Sequence, residues 1–148
     1  MDKPPTFQDA ELGELRYDLT LDWYEVVVQT RFGLVTVSLD CEEYASIDPL
    51  VTDLRAFCRK LDPVLEKAFA NIVKIMVPLK NECWLNDNET PISADELLNA
   101  VQSEEISISL CKGRLAEMFF NDGGFFGGHS IVVWHDEDGT VDGAHLAG

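Results

Sequence analysis

The clearest pattern in the sequence is a helical one in the middle of the chain. Asp48 and Pro49 provide an N-cap followed by proline at the first helical position. Apolar residues then recur at spacings of three and four and form one face: Leu50, Leu54, Phe57, Leu61, Val64, Leu65, Phe69, Ile72, Val73 and Met76. The other face is basic, with Arg55, Arg59, Lys60, Lys67 and Lys74. Pro63 falls inside the pattern, so we expect a kink or two helices that meet near Asp62, and Pro78 helps to end the run.

Segments with the character of β-strands precede this helical part. Residues 13–19, 23–30 and 34–40 read as strands, the last two rich in the β-branched residues that suit a pleated sheet. The short turn at 31–33 ends in glycine, which predicts a hairpin between the second and third strands. The first ten residues look like a loose, proline-containing tail.

More strands follow the helical part. Ser-Ala-Asp-Glu at 93–96 fits a capping box, which opens a short helix to about Val101. Four further strands are predicted at 105–111, 115–121, 129–135 and 140–146, with Asp-Gly at 138–139 as a hairpin turn signal. The order β-β-β-α-α-α-β-β-β-β predicts an α+β fold: a single antiparallel sheet of about six to seven strands with the helices packed on one face. We expect one domain over residues 11–148, after a tail at 1–10.

The charge of the chain narrows the classes of partner. The 148 residues include 27 acidic and 11 basic side chains, for a formal net charge of −16. Residues 1–50 carry −8 and residues 81–148 carry −11, whereas residues 51–80 carry +3. Binding to phosphates requires clustered Lys and Arg, so nucleic acid and anionic membrane are disfavoured as partners. The acidity instead favours capture of a protein with a basic surface, although many cytoplasmic bacterial proteins are simply acidic.

Composition also gives an expected compartment. No apolar run approaches the roughly 20 residues that span a bilayer, and the first residues lack a signal-peptide pattern. The cysteines at 41, 58, 83 and 111 are scattered, with no Cys-x-x-Cys pair. Scattered thiols without a secretion signal are typical of reduced cysteines, so we expect a cytoplasmic protein.

The most distinctive segment is Asp-Gly-Gly-Phe-Phe-Gly-Gly-His-Ser at 122–130. One hypothesis is a nest of backbone N–H groups that cradles an anion, with His129 as general acid or base. A β-run follows the loop and no lysine lies in it, so it matches neither a P-loop nor a dinucleotide fingerprint. The alternative is a tight connection between antiparallel strands, with Phe125 and Phe126 in the core. The candidate ligand-binding residues are Asp122, Gly127, Gly128 and His129.

The remaining polar clusters are weaker candidates. His129 and His135 lie about 20 Å apart along one strand, and an even-length turn places His145 on the opposite face, so no shared metal site is expected. The acidic turn at 136–138 lacks the EF-hand spacing, and it is either a solvated hairpin turn or a contact patch for a basic partner. Signatures of a catalytic nucleophile are missing, so we expect no cofactor and lean against an enzyme. The candidate partner-binding residues are Asp136, Glu137, Asp138, Asp142, Glu42 and Glu43.

Several of these residues carry a resemblance to a bacterial domain-of-unknown-function family. They are Leu-Gly-Glu-Leu at 12–15, Trp23, Phe-Phe-Gly-Gly-His-Ser-Ile at 125–131, Asp-Gly at 138–139 and the final Ala-Gly. The resemblance covers about residues 11–148. It implies a small α+β protein with a C-terminal Phe-x-Gly-His-x-Ile-x-Val hairpin. Because the family has no assigned function, no activity, cofactor or catalytic residue is carried over from it. In size, charge and class the chain also resembles immunity proteins of bacterial toxin systems.

Three functional hypotheses follow. The first is a non-enzymatic acidic protein-binding domain, in its most specific form a bacterial immunity protein that neutralises a basic toxin domain. The second is a small enzyme or ligand-binding domain with its site at the glycine-rich loop and His129. The third is an accessory or regulatory module of larger machinery.

Overall fold

The computed structural model describes residues 1–111, 116–136 and 138–148. Within them the chain is α+β, with one mixed sheet of eight strands and three helices. In chain order the elements are β1 (Thr6–Asp9), β2 (Gly13–Asp18), β3 (Trp23–Thr30), β4 (Gly33–Asp40), α1 (Ile47–Cys58), α2 (Leu61–Cys83), α3 (Ala94–Gln102), β5 (Ile106–Leu110), β6 (Ala116–Phe120), β7 (Ser130–His135) and β8 (Val141–Ala147).

The strands lie side by side in the order in which they occur in the chain. Six of the seven neighbouring pairs are antiparallel, but β4 and β5 run parallel, with Val35 opposite Ile106 and Leu39 opposite Leu110. The prediction of a purely antiparallel sheet is therefore wrong. The reason is that the three helices connect β4 to β5, and a helical crossover is the connection that parallel neighbours require.

The eighth strand comes from the residues predicted to form a loose tail. Thr6–Asp9 pairs with β2 as an edge strand, with Phe7 opposite Leu15. Just before it, the hydroxyl of Tyr24 donates to the carbonyl of Pro4 at 2.6 Å, and Lys3 pairs with Asp22. These contacts order a segment whose proline content alone suggested disorder, and they raise the strand number from the expected six or seven to eight.

The helical segment around Pro63 forms two helices and not one kinked helix. α1 ends at Cys58 and α2 begins at Leu61, so two helices meet there. Pro63 lies in the first turn of α2, where a missing N–H costs no helical hydrogen bond. Pro78, expected to help end the run, lies inside α2, which continues to Cys83. The predicted N-cap of α3 is confirmed, because Ser93 accepts a hydrogen bond from the Glu96 N–H at 3.2 Å; the Glu96 carboxylate in turn accepts from the Ser93 hydroxyl at 3.3 Å.

The sheet has two unlike faces. We call inner the face whose alternate residues are apolar and buried: Leu15, Tyr24, Val26, Val35, Val37, Ile106, Ile108, Met118, Phe120, Ile131 and Val133. Buried residues of all three helices belong to the same core. Phe69 of α2, for example, packs edge-on against Phe120 at 5.3 Å. Burying each such side chain contributes about 1.5–3 kcal/mol. The opposite face, which we call outer, carries the alternating polar positions and two exposed apolar side chains, Val27 and Leu34.

A buried ion pair joins the first two strands to α1. The Asp9 side chain is only 2% exposed and pairs with Arg55. It also accepts hydrogen bonds from the Leu12 N–H at 2.9 Å and the Glu11 N–H at 3.2 Å. The guanidinium of Arg55 is the main reason that the pKa of Asp9 is lowered from 3.8 to about 2. This pair therefore fixes the β1–β2 turn on the helical layer.

We expect Asp9→Asn to lower the free energy of unfolding at neutral pH by about 1–3 kcal/mol, because a charged hydrogen-bond acceptor is lost from a buried site. The folded-state pKa of Asp9 lies below its unfolded value, so its contribution is complete well above pH 3.8 and is lost as the pH falls through about 2. Urea unfolding at several pH values measures this. Glu11→Gln is the control, because the exposed Glu11–Arg59 pair contributes less than about 1 kcal/mol. Equal effects of the two substitutions would contradict the assignment.

Candidate functional site

The glycine-rich loop, residues 122–129, is organised around the carboxylate of Asp122. Asp122 is buried, with 3% exposure. One of its oxygens accepts a hydrogen bond from the Gly124 N–H at 2.8 Å, and the other accepts from Phe126 at 3.1 Å and from Gly128 at 2.7 Å. The backbone donors proposed to cradle an external anion therefore bind an anion that belongs to the protein.

The other loop donors are also largely used. The N–H of Gly123 donates to the Asn121 side chain at 3.0 Å, and that of Phe125 donates to the Asp122 carbonyl at 3.1 Å. The N–H of His129 donates to the Phe126 carbonyl at 3.4 Å. Within the described part of the chain, the Gly127 N–H has no hydrogen-bond partner. This geometry favours the alternative of a tight, self-contained connection, and Phe126 is fully buried beneath it.

His129 lies beside the loop and does not bind the Asp122 carboxylate, whose hydrogen bonds come from the backbone. Its Nδ1 lies 2.6 Å from the Phe126 carbonyl oxygen. A carbonyl oxygen only accepts, so Nδ1 carries the hydrogen and the neutral ring keeps Nε2 as an acceptor. The ring packs edge-on against Trp84 at 5.7 Å. The residues predicted from the sequence to form a ligand site therefore do lie together in this loop, but their contacts are with one another and stabilise the loop.

Sequence reasoning missed Lys80, which lies next to this loop. Lys80 is 3% exposed, and its Nζ donates to the Trp84 carbonyl at 2.8 Å and pairs with Glu89 at 3.1 Å. Its ammonium also lies 6.0 Å from the centre of the Phe125 ring. The signal was its spacing, since Lys80 follows the buried Met76 by four residues on the apolar side of α2. A buried lysine with a carboxylate partner holds the C-terminal end of α2 to the loop that follows it.

The close packing of the loop depends on glycine at position 123. A Cβ atom built on Gly123 would lie 2.7 Å from the Cβ of Ala100 in α3, and its φ is +64°. Both facts require glycine. The loop is thus wedged against α3.

The acidic candidates lie at one end of the sheet. In the β7–β8 turn the Asp136 N–H donates to the Thr140 carbonyl at 2.8 Å. The Asp138 side chain accepts from the Thr140 N–H at 3.0 Å, which lowers the pKa of Asp138. Asp142 is exposed on the outer face opposite Trp134, and Glu137 lies outside the described residues.

The second acidic group follows β4, which runs parallel to β7 and ends at the same end of the sheet. The Glu42 N–H donates to Asp40 at 2.8 Å, and Glu43 comes next in the chain. Glu42 and Asp40 line a groove of about 510 Å³ together with Trp23 and Ser109. Three strand spacings separate β4 from β7, which is about 14 Å. The two acidic groups therefore border one end of the outer face.

The outer face itself is acidic. Its described strand residues include six acids and one base, and we call this set, together with the apolar residues between them, the acidic face: Glu14, Asp18, Glu25, Asp40, Glu117 and Asp142, with Arg16. Arg16 is already paired with Glu14 at 2.8 Å. Among the described strand residues of this face, the other five carboxylates therefore have no remaining basic side chain to pair with.

The histidines do not converge. His135 is on the inner face, edge-on to Phe57 at 5.5 Å, whereas His145 stacks on Trp134 at 4.2 Å on the outer face. The turn between β7 and β8 has an odd length, since His135 pairs with Val141, which differs from the expected even length. A bulge between Val132 and Trp134 shifts the register again, so His145 still lies on the face opposite His135, as predicted. Among the described residues, no three His, Cys, Asp or Glu side chains form a group able to hold a metal ion.

A protein-family model covers most of this chain. A family model described as "Uncharacterized protein conserved in bacteria (DUF2262)" matches residues 9–146. The chain belongs to this family. The match confirms the resemblance and includes the glycine-rich loop and all acids of the acidic face. Comparisons with curated proteins and with solved structures found no match. Among the helices of the described residues, none has the length and apolar character needed to cross a membrane.

The role of Asp122 is testable in this family member. We expect Asp122→Ala to lower the free energy of unfolding by about 3 kcal/mol, because three backbone donors in a buried loop lose their acceptor. Asp138→Ala removes one backbone hydrogen bond in an exposed turn and should cost less than about 1 kcal/mol. Urea unfolding compares the two. If Asp122→Ala is as mild as its control, the loop does not depend on this carboxylate.

Proposed function

We propose that this protein is a non-enzymatic binding domain whose acidic face engages a protein partner with a basic surface. The observation that carries the proposal is the charge imbalance of that face, where the described strand residues include six carboxylates and one arginine, which is already paired with Glu14. Carboxylates without positive neighbours attract a cationic surface and speed its association.

Apolar side chains on the same face add to this argument. Val27 is 57% exposed and Leu34 is 60% exposed, on adjacent strands. Phe119 and Trp134 are partly buried on the other half of the face. Protein interfaces combine a central apolar area with a polar rim, and aromatic residues contribute a large share of the binding energy. The acidic face has both kinds of group.

The competing ligand-binding hypothesis receives less support from the geometry. Three N–H donors of the glycine-rich loop bind Asp122, and the Nδ1 atom of His129 binds a carbonyl. Because most of its backbone N–H groups already donate hydrogen bonds within the loop, few are left to bind an external anion. The mixed acidic and apolar face therefore supports a protein partner better than the loop supports a small anionic ligand.

The most specific form of the proposal is a bacterial immunity protein. A toxin domain with a basic surface presents the charge that complements the acidic face, and a wide sheet face is suited to covering such a surface. In this form, the domain neutralises its partner by occlusion and requires no chemistry of its own.

The acidic face is tested with a cationic strand of about eight residues that alternates lysine and valine. We expect the peptide to perturb the amide resonances of β3, β4 and β7 in NMR spectra. Glu25→Gln/Glu117→Gln/Asp142→Asn should weaken its affinity about tenfold, since each lost charge pair costs a few tenths to 1 kcal/mol. The matched control, Glu82→Gln/Asp87→Asn/Glu104→Gln, removes three exposed acids outside the strands and should change affinity less than twofold. Equal losses in both variants would mean that only net charge matters, and would refute a specific face.

The immunity role is tested with any toxin-like protein that is encoded beside the gene. We expect co-expression of this chain to restore growth of cells that produce that toxin, and the triple variant of the acidic face to lose the protection while the control triple keeps it. Absence of a toxin-like reading frame in the gene neighbourhood, or equal protection by both variants, would argue against this role.

A further inference from the structure

The last strand leaves one edge of the sheet open. β8 pairs with β7 on one side, and no described strand pairs with its other side. The edge strand has seven residues, Val141–Ala147, with the bulge between its paired stretches at 141–142 and 145–147. An open edge presents unpaired backbone N–H and C=O groups that can accept another strand.

Helix α2 lies directly beside this edge. The side-chain amide of Asn71 donates to the Val141 carbonyl at 3.1 Å. Lys67 precedes Asn71 by four residues and Lys74 follows it by three, so both are its neighbours on the helix surface. Lys60, the residue just before α2, extends the row, because steps of seven residues are about 10.5 Å along a helix and return to nearly the same side. We call Lys60, Lys67 and Lys74 the lysine row.

The lysine row is positively charged and available. All three side chains are exposed, and within the described residues none forms an ion pair or hydrogen bond. Their charge reaches the sheet: burial chiefly lowers the pKa of His135 in β7, and Lys60 and Lys67 lower it further, while Asp136 opposes them. The net charge of the chain is −16, so three unpaired lysines next to a strand edge form a locally positive area on an otherwise acidic protein.

We infer that the β8 edge and the lysine row together bind an extended segment of a protein partner in which acidic residues alternate with uncharged ones. The segment adds to β8 as a ninth strand, so its backbone supplies the hydrogen bonds. Alternate side chains of a strand point to opposite faces, which places the acidic set on the inner side, next to the lysine row. The other set faces the outer side, where Asp142 is exposed. Because Asp142 would repel acidic residues there, this set is uncharged.

The negative net charge of the protein does not prevent an acidic segment from binding at this edge, and an acidic segment fits the edge better than a second copy of the chain does. The net charge of the protein repels an acidic segment, but at physiological ionic strength the Debye length is about 8 Å, so distant carboxylates act weakly compared with adjacent lysines. A second copy of the chain is a poorer occupant. Two β8 strands paired edge to edge would place the lysine rows of both copies on the same side of the joined sheet, where they repel.

The probe is a peptide of about eight residues that alternates glutamate and valine. We expect saturable binding by calorimetry, slower hydrogen exchange of β8 amides, and shifts confined to β8 and α2 in NMR spectra. Lys67→Gln/Lys74→Gln should weaken binding about fivefold, as expected for two surface charge pairs. The control Arg31→Gln/Arg59→Gln removes two exposed positive charges that pair with Glu66 and Glu11, away from β8, and should leave the affinity unchanged.

A second peptide, with proline in place of valine, keeps the charges but cannot donate backbone hydrogen bonds at those positions. It should bind at least tenfold more weakly. Equal binding of both peptides, equal effects of the two double variants, or no protection of β8 would each overturn the inference. These results are independent of the acidic face, because the probe and the perturbed strands differ from those of the cationic peptide.

Discussion

The parallel pairing of β4 with β5 determines how the rest of this molecule is arranged. To run parallel beside β4, the chain must return to the starting end of that strand, and here it does so through α1, α2 and α3. The helices of this crossover pack on the inner face and fill the core with their apolar sides. The three helices therefore cover one face of the broad sheet. The acidity of the outer face and the exposure of Val27 and Leu34 follow from the position of the helices on the inner face.

Charges inside this layer serve the fold. Asp9 pairs with Arg55 between β1 and α1, Lys80 pairs with Glu89 at the end of α2, and Asp122 closes the glycine-rich loop. Each buried charge meets an opposite charge or several donors, as burial requires. The groups left to act on other molecules are consequently at the surface: the carboxylates of the acidic face and the lysine row beside β8.

Much of the fold was predictable because local patterns matched the final structure. The β3–β4 hairpin and the Ser93 cap depend on residues within a few positions of one another. The parallel junction was not predictable in this way, since its register joins Val35 to Ile106 across 71 positions in the chain. β1 escaped prediction for a similar reason, because the contacts that order it come from Leu15, Tyr24 and Arg55.

The candidate site likewise has features that local sequence predicts and others that depend on residues distant in the chain. Glycine content marked the loop correctly as a special backbone segment, but only the structure shows that Asp122 occupies its donors. The alternation of strands β2 to β8 put six acids on one face, a result that depends on strand neighbours that are distant in the chain. Lys80 was hidden because its burial is decided by the loop that folds back over α2.

The central claim is that the outer face is open in the free protein and becomes covered by a cationic partner. Hydroxyl-radical footprinting measures this directly at Val27 and Leu34, with the exposed Ile75 of α2 as internal reference. We predict that both residues are oxidised readily in the free protein and are protected when the lysine–valine peptide is bound, while oxidation of Ile75 is unchanged. Bound peptide with no protection of Val27 and Leu34, or protection already present without it, would contradict the account.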